Sequence, residues 1–309
     1  MILYIYIALF TISSIVVVPY ASEALLLVPA IGYLALRQTL LTGLTMGLFK
    51  DSRNIKGIIA KYRQTSKHDR FILFKLNLFK LAAVALAYSI LASMNSAEFI
   101  ALESPIVATV AVILATLVYK RGITKLDLFV VIGVIIGTVI IFWNSIGSVK
   151  PIHIIILLII GIVRYLSSEY TAQLKDAFTY TELVVIGSIF MAPILIVWAW
   201  VIGDFAYLNS EMIATFIPLL LIGTFGTTIN NLAGSYISVN VSPLLSSLLV
   251  ILTLPLSLLG SVYIAGDTLT INQTIGVTLA LACMVAHRVL AQYNKSKKEV
   301  KTEAEEQLN

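Results

Sequence analysis

Four ionisable side chains stand deep inside apolar stretches of this sequence: Arg37, Glu103, Arg164 and Glu169. A charge in such a place is costly and marks a candidate functional group. Arg37 and Arg164 each lie twelve residues past the start of their segments at Leu25 and Ile152, about 18 Å along a helix. Arginine offers a planar fork of donors suited to carboxylate or phosphate, so the pair is equipped to hold an anionic group. A structural reading stands beside that one. Arg37 would pair with Glu103, and Arg164 with Glu169 or a carbonyl, to hold helices in register. Buried charges pair whatever their role, which favours the structural reading. The two carboxyls are also candidate proton carriers.

Polar side chains form a second group. Thr227, Asn230, Asn231 and Gly234 recur at helical spacing, so one face of an apolar segment is polar and must look inward. Such a face either reads a substrate's hydroxyls and amides or hydrogen-bonds to a neighbouring helix. Ser242, Ser246 and Ser247 extend it, and Tyr88, Tyr165 and Tyr170 are candidates to line the same space. Lys75 and Lys80 are expected to snorkel to an interface. Gly43-x-x-x-Gly47 and Gly133-x-x-x-Gly137 read as packing motifs. The three histidines are scattered, Cys283 stands alone in an apolar run, and no nucleophile, metal-ligand or phosphate-cradling motif is present. The sequence therefore points away from an enzyme and implies no cofactor or metal.

These residues sit in an unusual chain. Hydrophobic residues make up 59% and charged residues 12% of the 309 positions, and mean hydropathy is +0.96. A water-soluble domain has roughly 25% charged residues, so the solvent here must be lipid. A spanning helix needs about 20 mostly apolar residues. Ten segments qualify: 2–19, 25–49, 72–93, 98–119, 127–144, 152–173, 182–202, 212–236, 243–264 and 273–291. No Lys or Arg precedes the first, which separates it from a signal peptide. Of the 21 Lys and Arg, 17 fall on or beside links of one parity, while Glu23, Glu98, Asp204, Glu211 and Asp267 mark the other. The positive-inside rule then places both termini in the cytoplasm, and the +5 charge reads as topology rather than a nucleic-acid footprint. In the basic link 50–71, Ile55, Ile58, Ile59 and Tyr62 have helical spacing. A short helix on an anionic leaflet fits; a solvated loop fits slightly better. The charged tail 294–309 is expected to be disordered.

The chain also repeats itself. Glu103–Leu114 aligns without a gap on Val241–Leu252, each opening on Ser-Pro and closing on Val-Ile-Leu. Tyr119-x-x-Gly122-x-Thr124 returns as Tyr263-x-x-Gly266-x-Thr268, with wider spacing that implies an insertion in the second copy. Ten spans split as 1–146 and 147–293 give five per half, an odd number, so the halves must be inverted copies. The expected fold is thus an all-α integral membrane protein of ten helices in two inverted five-helix repeats, with Pro105, Pro243 and Pro255 as hinges.

Together with Pro29-x(7)-Arg37 and the Gly266-Asp267-Thr268-Leu269-Thr270 link, this organisation resembles the drug/metabolite transporter superfamily. The EamA-like and nucleotide-sugar-transporter-like branches both come into view. Lys120-Arg121-Gly122 replaces the glutamate-bearing link of the first half in many members. The resemblance implies a secondary active transporter of small organic solutes working by alternating access, coupled to protons or a counter-substrate. An exchanger of nucleotide sugars or phosphorylated metabolites is the alternative; a lipid-linked sugar flippase or a membrane enzyme is less favoured. The expected setting is the plasma membrane of a prokaryote, as monomer or homodimer. The candidate substrate-binding residues are Arg37, Arg164, Glu103, Glu169, Tyr165, Thr227, Asn230 and Asn231.

Overall fold

The computed structural model describes residues 2–48, 54–120, 125–142, 150–207, 210–279, 281–283 and 286. It is 88% helix, with no strand among the described residues. The helices are α1 (Ile2–Leu25), α2 (Ala30–Leu48), α3 (Ile55–Gln64), α4 (Lys67–Leu91), α5 (Ser96–Leu117) and α6 (Lys125–Phe142), then α7 (Pro151–Gln173), α8 (Tyr180–Ile202), α9 (Ser210–Asn240), α10 (Pro243–Leu249) and α11 (Leu254–Ile264). A further apolar helix, α12, runs over Ile271–Cys283. The tail from 294, residues 287–291 of the last predicted span and the half boundary at 146/147 lie outside the described residues.

Six helices, α1, α4, α5, α7, α8 and most of α9, are long and apolar enough to cross a membrane. Their outward faces expose Ile154, Ile155 and Leu158 on α7, Trp198 and Trp200 on α8, and Leu221 and Phe225 on α9. An outside made of such side chains needs lipid as its solvent. The chain is a multi-pass integral membrane protein.

Helix starts are written locally. Asn95 caps α5 by accepting the Glu98 amide, and Thr179 with Glu182 forms a reciprocal capping box at the start of α8. The 50–71 link does contain a helix, α3, capped by Asn54. Lys61 on α3 reaches Glu182 of α8 at 2.7 Å, an anchor that the solvated-loop reading lacked. Ile58 is buried, while Ile59 and Tyr62 are exposed.

The packing has a regular order. α1 lies along α9, and α4 lies along α7. α7 also packs on α5, and α1 on α11. α2 meets α8, and α5 meets α11. Numbering the long segments in order, with α10 and α11 as one, these contacts are 1 with 8, 3 with 6, 4 with 6, 1 with 9, 2 with 7 and 4 with 9. Exchanging the first five segments for the last five maps this set of contacts onto itself.

The proline-bearing stretches correct the sequence reading. Pro105 lies within an uninterrupted α5. Pro243 is the first residue of α10, where a proline replaces an amide that would have had no helical partner, so it starts a helix rather than bending one from within. The real interruption is a 3-10 turn at Val250–Thr253, just before Pro255. The Ser14 hydroxyl of α1 donates to the Thr253 carbonyl there at 3.3 Å, and Ser257 donates to the Ser14 carbonyl at 3.2 Å. α5 and the α10–α11 segment end alike, at Leu117 and Ile264, followed by left-handed residues Lys120 and Gly266. The Ser-Pro echo therefore sits mid-helix in one copy and at the helix start in the other. The spacing difference reflects this shift rather than an insertion.

The glycine motifs also differ from expectation. A Cβ on Gly43 or Gly47 would meet open space, whereas one on Gly133 would overlap Cys283. The tightest crossing involves Gly260 of α11, whose added Cβ would overlap the Ile15 carbonyl of α1.

Candidate functional site

A cavity of about 300 Å³ opens between the helices. Its walls come from α1, α2, α4 and α5 of the amino-terminal part of the chain and from α7, α8, α9 and α10 of the carboxyl-terminal part. Its lining reaches Thr171 near the end of α7, Leu183 in the first turn of α8, Ser238 near the end of α9 and Ser246 in α10. That is the end of the bundle where Lys61 of α3 meets Glu182, the basic end.

Arg37 is 3% exposed and lines the cavity. Its guanidinium lies 4.4 Å from the Tyr88 ring centre and 5.9 Å from that of Tyr33, and it donates to the Tyr88 hydroxyl. Both rings offer a π face to the cation. Among the described residues no carboxylate pairs with Arg37. The expected Arg37–Glu103 pair is therefore replaced by a tyrosine cage.

Glu103 pairs instead with Arg164, at 2.5 Å between Oε1 and Nη2. The Glu103 side chain is 8% exposed and the Arg164 side chain 37%, because Arg164 also faces the cavity. This bond joins α5 to α7. Tyr88 lies within electrostatic reach of Arg37, Glu103 and Arg164 together.

On α9, Thr227, Asn230 and Asn231 all line the cavity, with Ser235 and Ser238 below them. Thr227 donates back to the Gly223 carbonyl at 2.7 Å. Asn230 donates to the Phe10 carbonyl at 3.1 Å and to Ser13 Oγ at 3.2 Å, so it ties α9 to α1 as well. Asn231 is exposed to the cavity and makes no protein hydrogen bond among the described residues.

Three predicted site residues are not on the wall. Glu103 stands behind Arg164. Glu169 is 4% exposed, and Tyr165 is fully buried with its ring edge-on to Tyr119 at 5.6 Å. Conversely, Lys80 and Gln38 line the cavity. The sequence reading sends Lys80 to the interface. It stands eight residues past the start of the predicted span at Ile72, about 12 Å along the helix, and its side chain turns to the cavity instead. Its depth was the available signal. Gln38 gave none beyond adjoining Arg37.

The opposite end is tied across the bundle. Asp204, following α8, accepts the Gly32 amide of α2 at 2.8 Å. Asp267, following α11, accepts from Ser96 Oγ at 2.5 Å and the Ala97 amide at 2.9 Å, at the start of α5. Helix N-termini carry partial positive charge, which suits both carboxylates. Ser93 Oγ and His153 Nε2 meet at 3.3 Å nearby. Among the described residues no group of three or more His, Cys, Asp or Glu is placed to hold a metal.

No family model and no curated protein matches the chain. A solved structure described only as "Crystal structure of protein" is similar in fold, with a TM-score of 0.59 at 13% identity, covering 93% of this chain and 98% of that one. At that identity the likeness speaks for the fold alone.

Proposed function

We propose that the chain is a secondary active transporter of small organic solutes, built from ten spans in two inverted five-helix halves and working by alternating access. One observation carries the reading: a cavity with cationic, amide and hydroxyl side chains on its wall is lined by helices from both ends of the sequence, reaches toward the basic end, and is backed at the other end by hydrogen bonds between helices from the two ends of the chain. The exchange symmetry of the helix contacts supports the inverted arrangement. So does the helix count, since five spans per half put the second copy upside down. The sequence resemblance to the drug/metabolite transporter superfamily agrees with it. The basic links then face the cytoplasm, and the cavity is caught open inward. A prokaryotic plasma membrane is the setting we favour.

The test uses the full chain in liposomes, with single cysteines at Ser168 and Ser235 on the cavity wall. A carrier exposes both to an impermeant maleimide from each side in turn, with the balance shifting when substrate is added. Labelling from the basic side alone under every condition, with no solute flux, would remove the proposal. Termini found on opposite faces of the membrane would do the same.

A further inference from the structure

Two buried donors at the cavity wall are left without a partner. Arg37 Nε and Gln38 Nε2 are buried and have no hydrogen-bond partner. Lys80 lines the same cavity, and among the described residues its ammonium has no hydrogen-bond or ion-pair partner. Buried polar atoms without partners are rare and call for an explanation. Leaving such donors unpaired, with no carboxylate to neutralise Arg37 or Lys80, is costly in a membrane. Helix packing would have matched them with acceptors, as it did for Arg164 with Glu103 and for Asn230 with Phe10 and Ser13.

We infer that the cavity binds a small organic anion, held at its carboxylate or phosphate by Arg37, Gln38 and Lys80. This deepens the transporter reading by naming its substrate class, and the binding claim can be tested without transport. The division of labour is specific. Arg164 is neutralised by Glu103 and serves chiefly to join α5 to α7. The unneutralised cations stand on α2 and α4. Both lie in the amino-terminal part of the chain, so the charged end of the ligand is held there. Across the cavity Asn231, with its amide unengaged, faces the ligand's polar body. The remaining wall is hydroxyl-rich, with Ser167, Ser188 and Ser247. A cavity of about 300 Å³ sits at the lower end of the usual range for ligand sites, about 300–1,000 Å³. It suits a body the size of an amino acid or monosaccharide.

The test is a charge series on purified full-length protein at constant ionic strength, read as a shift in melting temperature and then as Kd. The anions are succinate, glutamate, gluconate and glucose 6-phosphate; the uncharged and cationic counterparts, all without a carboxylate or phosphate, are succinamide, glucose and glucosamine. We expect at least one anion to stabilise the protein and none of the counterparts to do so. Lys80→Gln should weaken that anion about tenfold or more, consistent with loss of a charge-assisted hydrogen bond. Lys80→Arg should keep most of the affinity, and Gln38→Leu should lose part of it. Gel filtration establishes that each variant is folded, and Lys80→Arg with Gln38→Leu decides the matter where Lys80→Gln is not. Stabilisation by the uncharged or cationic compounds but by no anion overturns the inference, as does silence from every anion. Undiminished anion binding in Lys80→Gln also overturns it. Anion binding without flux in liposomes would instead remove the transporter reading and leave this one standing.

Discussion

α5 and the α10–α11 segment share the Ser-Pro sequence but use it differently. α5 runs unbroken from Ser96 to Leu117 with Pro105 in its interior, and it is covered by protein along most of its length. The other starts at Pro243 and breaks at Val250–Thr253, where α1 supplies hydroxyl and carbonyl partners through Ser14. A proline in a membrane helix frees a carbonyl that lipid cannot satisfy, so each copy needs neighbouring protein at that point. The lesson is that a repeated sequence need not occupy a repeated depth. The shared helix ends and left-handed link residues mark equivalent positions better than the shared letters.

Four substitutions break or sharpen this comparison, in descending order of effect. Gly260→Val should cost about 3 kcal/mol or more, because the side chain has to displace the α1 backbone; thermal unfolding in detergent reads it. A tolerated valine would mean that α11 is not fixed against α1. Glu103→Leu should cost about 2–3 kcal/mol by leaving Arg164 without its carboxylate, discounted from a fully buried pair because Arg164 is partly wet. The double variant with Arg164→Leu should recover most of that loss. If it does not, the pair is not what joins α5 to α7. Asp267→Ala should cost about 1 kcal/mol, the usual size for a lost helix cap. Pro243→Ala should fall within about 0.5 kcal/mol, since that position needs no particular backbone restraint. A large effect there would mean that the start of α10 depends on its proline.

Much of the fold was legible in the sequence, for physical reasons. Lipid forces backbone groups to pair within one segment, so apolar runs had to be helices. The described helices begin and end close to the predicted spans, apart from the α1–α2 turn and the broken segment. The cavity was partly legible too. Arg37, Arg164 and the polar face of α9 were found because such groups are too costly to leave facing hydrocarbon. What could not be read was which charge meets which. Glu103 pairs with Arg164 and not Arg37 because α5 packs on α7, and helix neighbours are set by side-chain packing that no spacing encodes. Lys80 was misplaced by a rule for helix ends applied to a residue well inside its helix. Tyr165 and Glu169 were misjudged because depth along a helix does not say which face is turned to the cavity.

One helix carries both a lock and a sensor. Gly32 of α2, whose amide Asp204 holds at the acidic end, precedes Arg37 by five residues, about 7.5 Å along the axis. α5 has the same layout, with Ala97 clasped by Asp267 and Glu103 further along. A molecule arriving in the cavity never touches either aspartate. One held as proposed would pull on Arg37 or on the Arg164–Glu103 bond, and the same helices would carry that pull to the clasps. In a carrier, this would make α2 and α5 the levers through which occupancy at one end loosens the seal at the other.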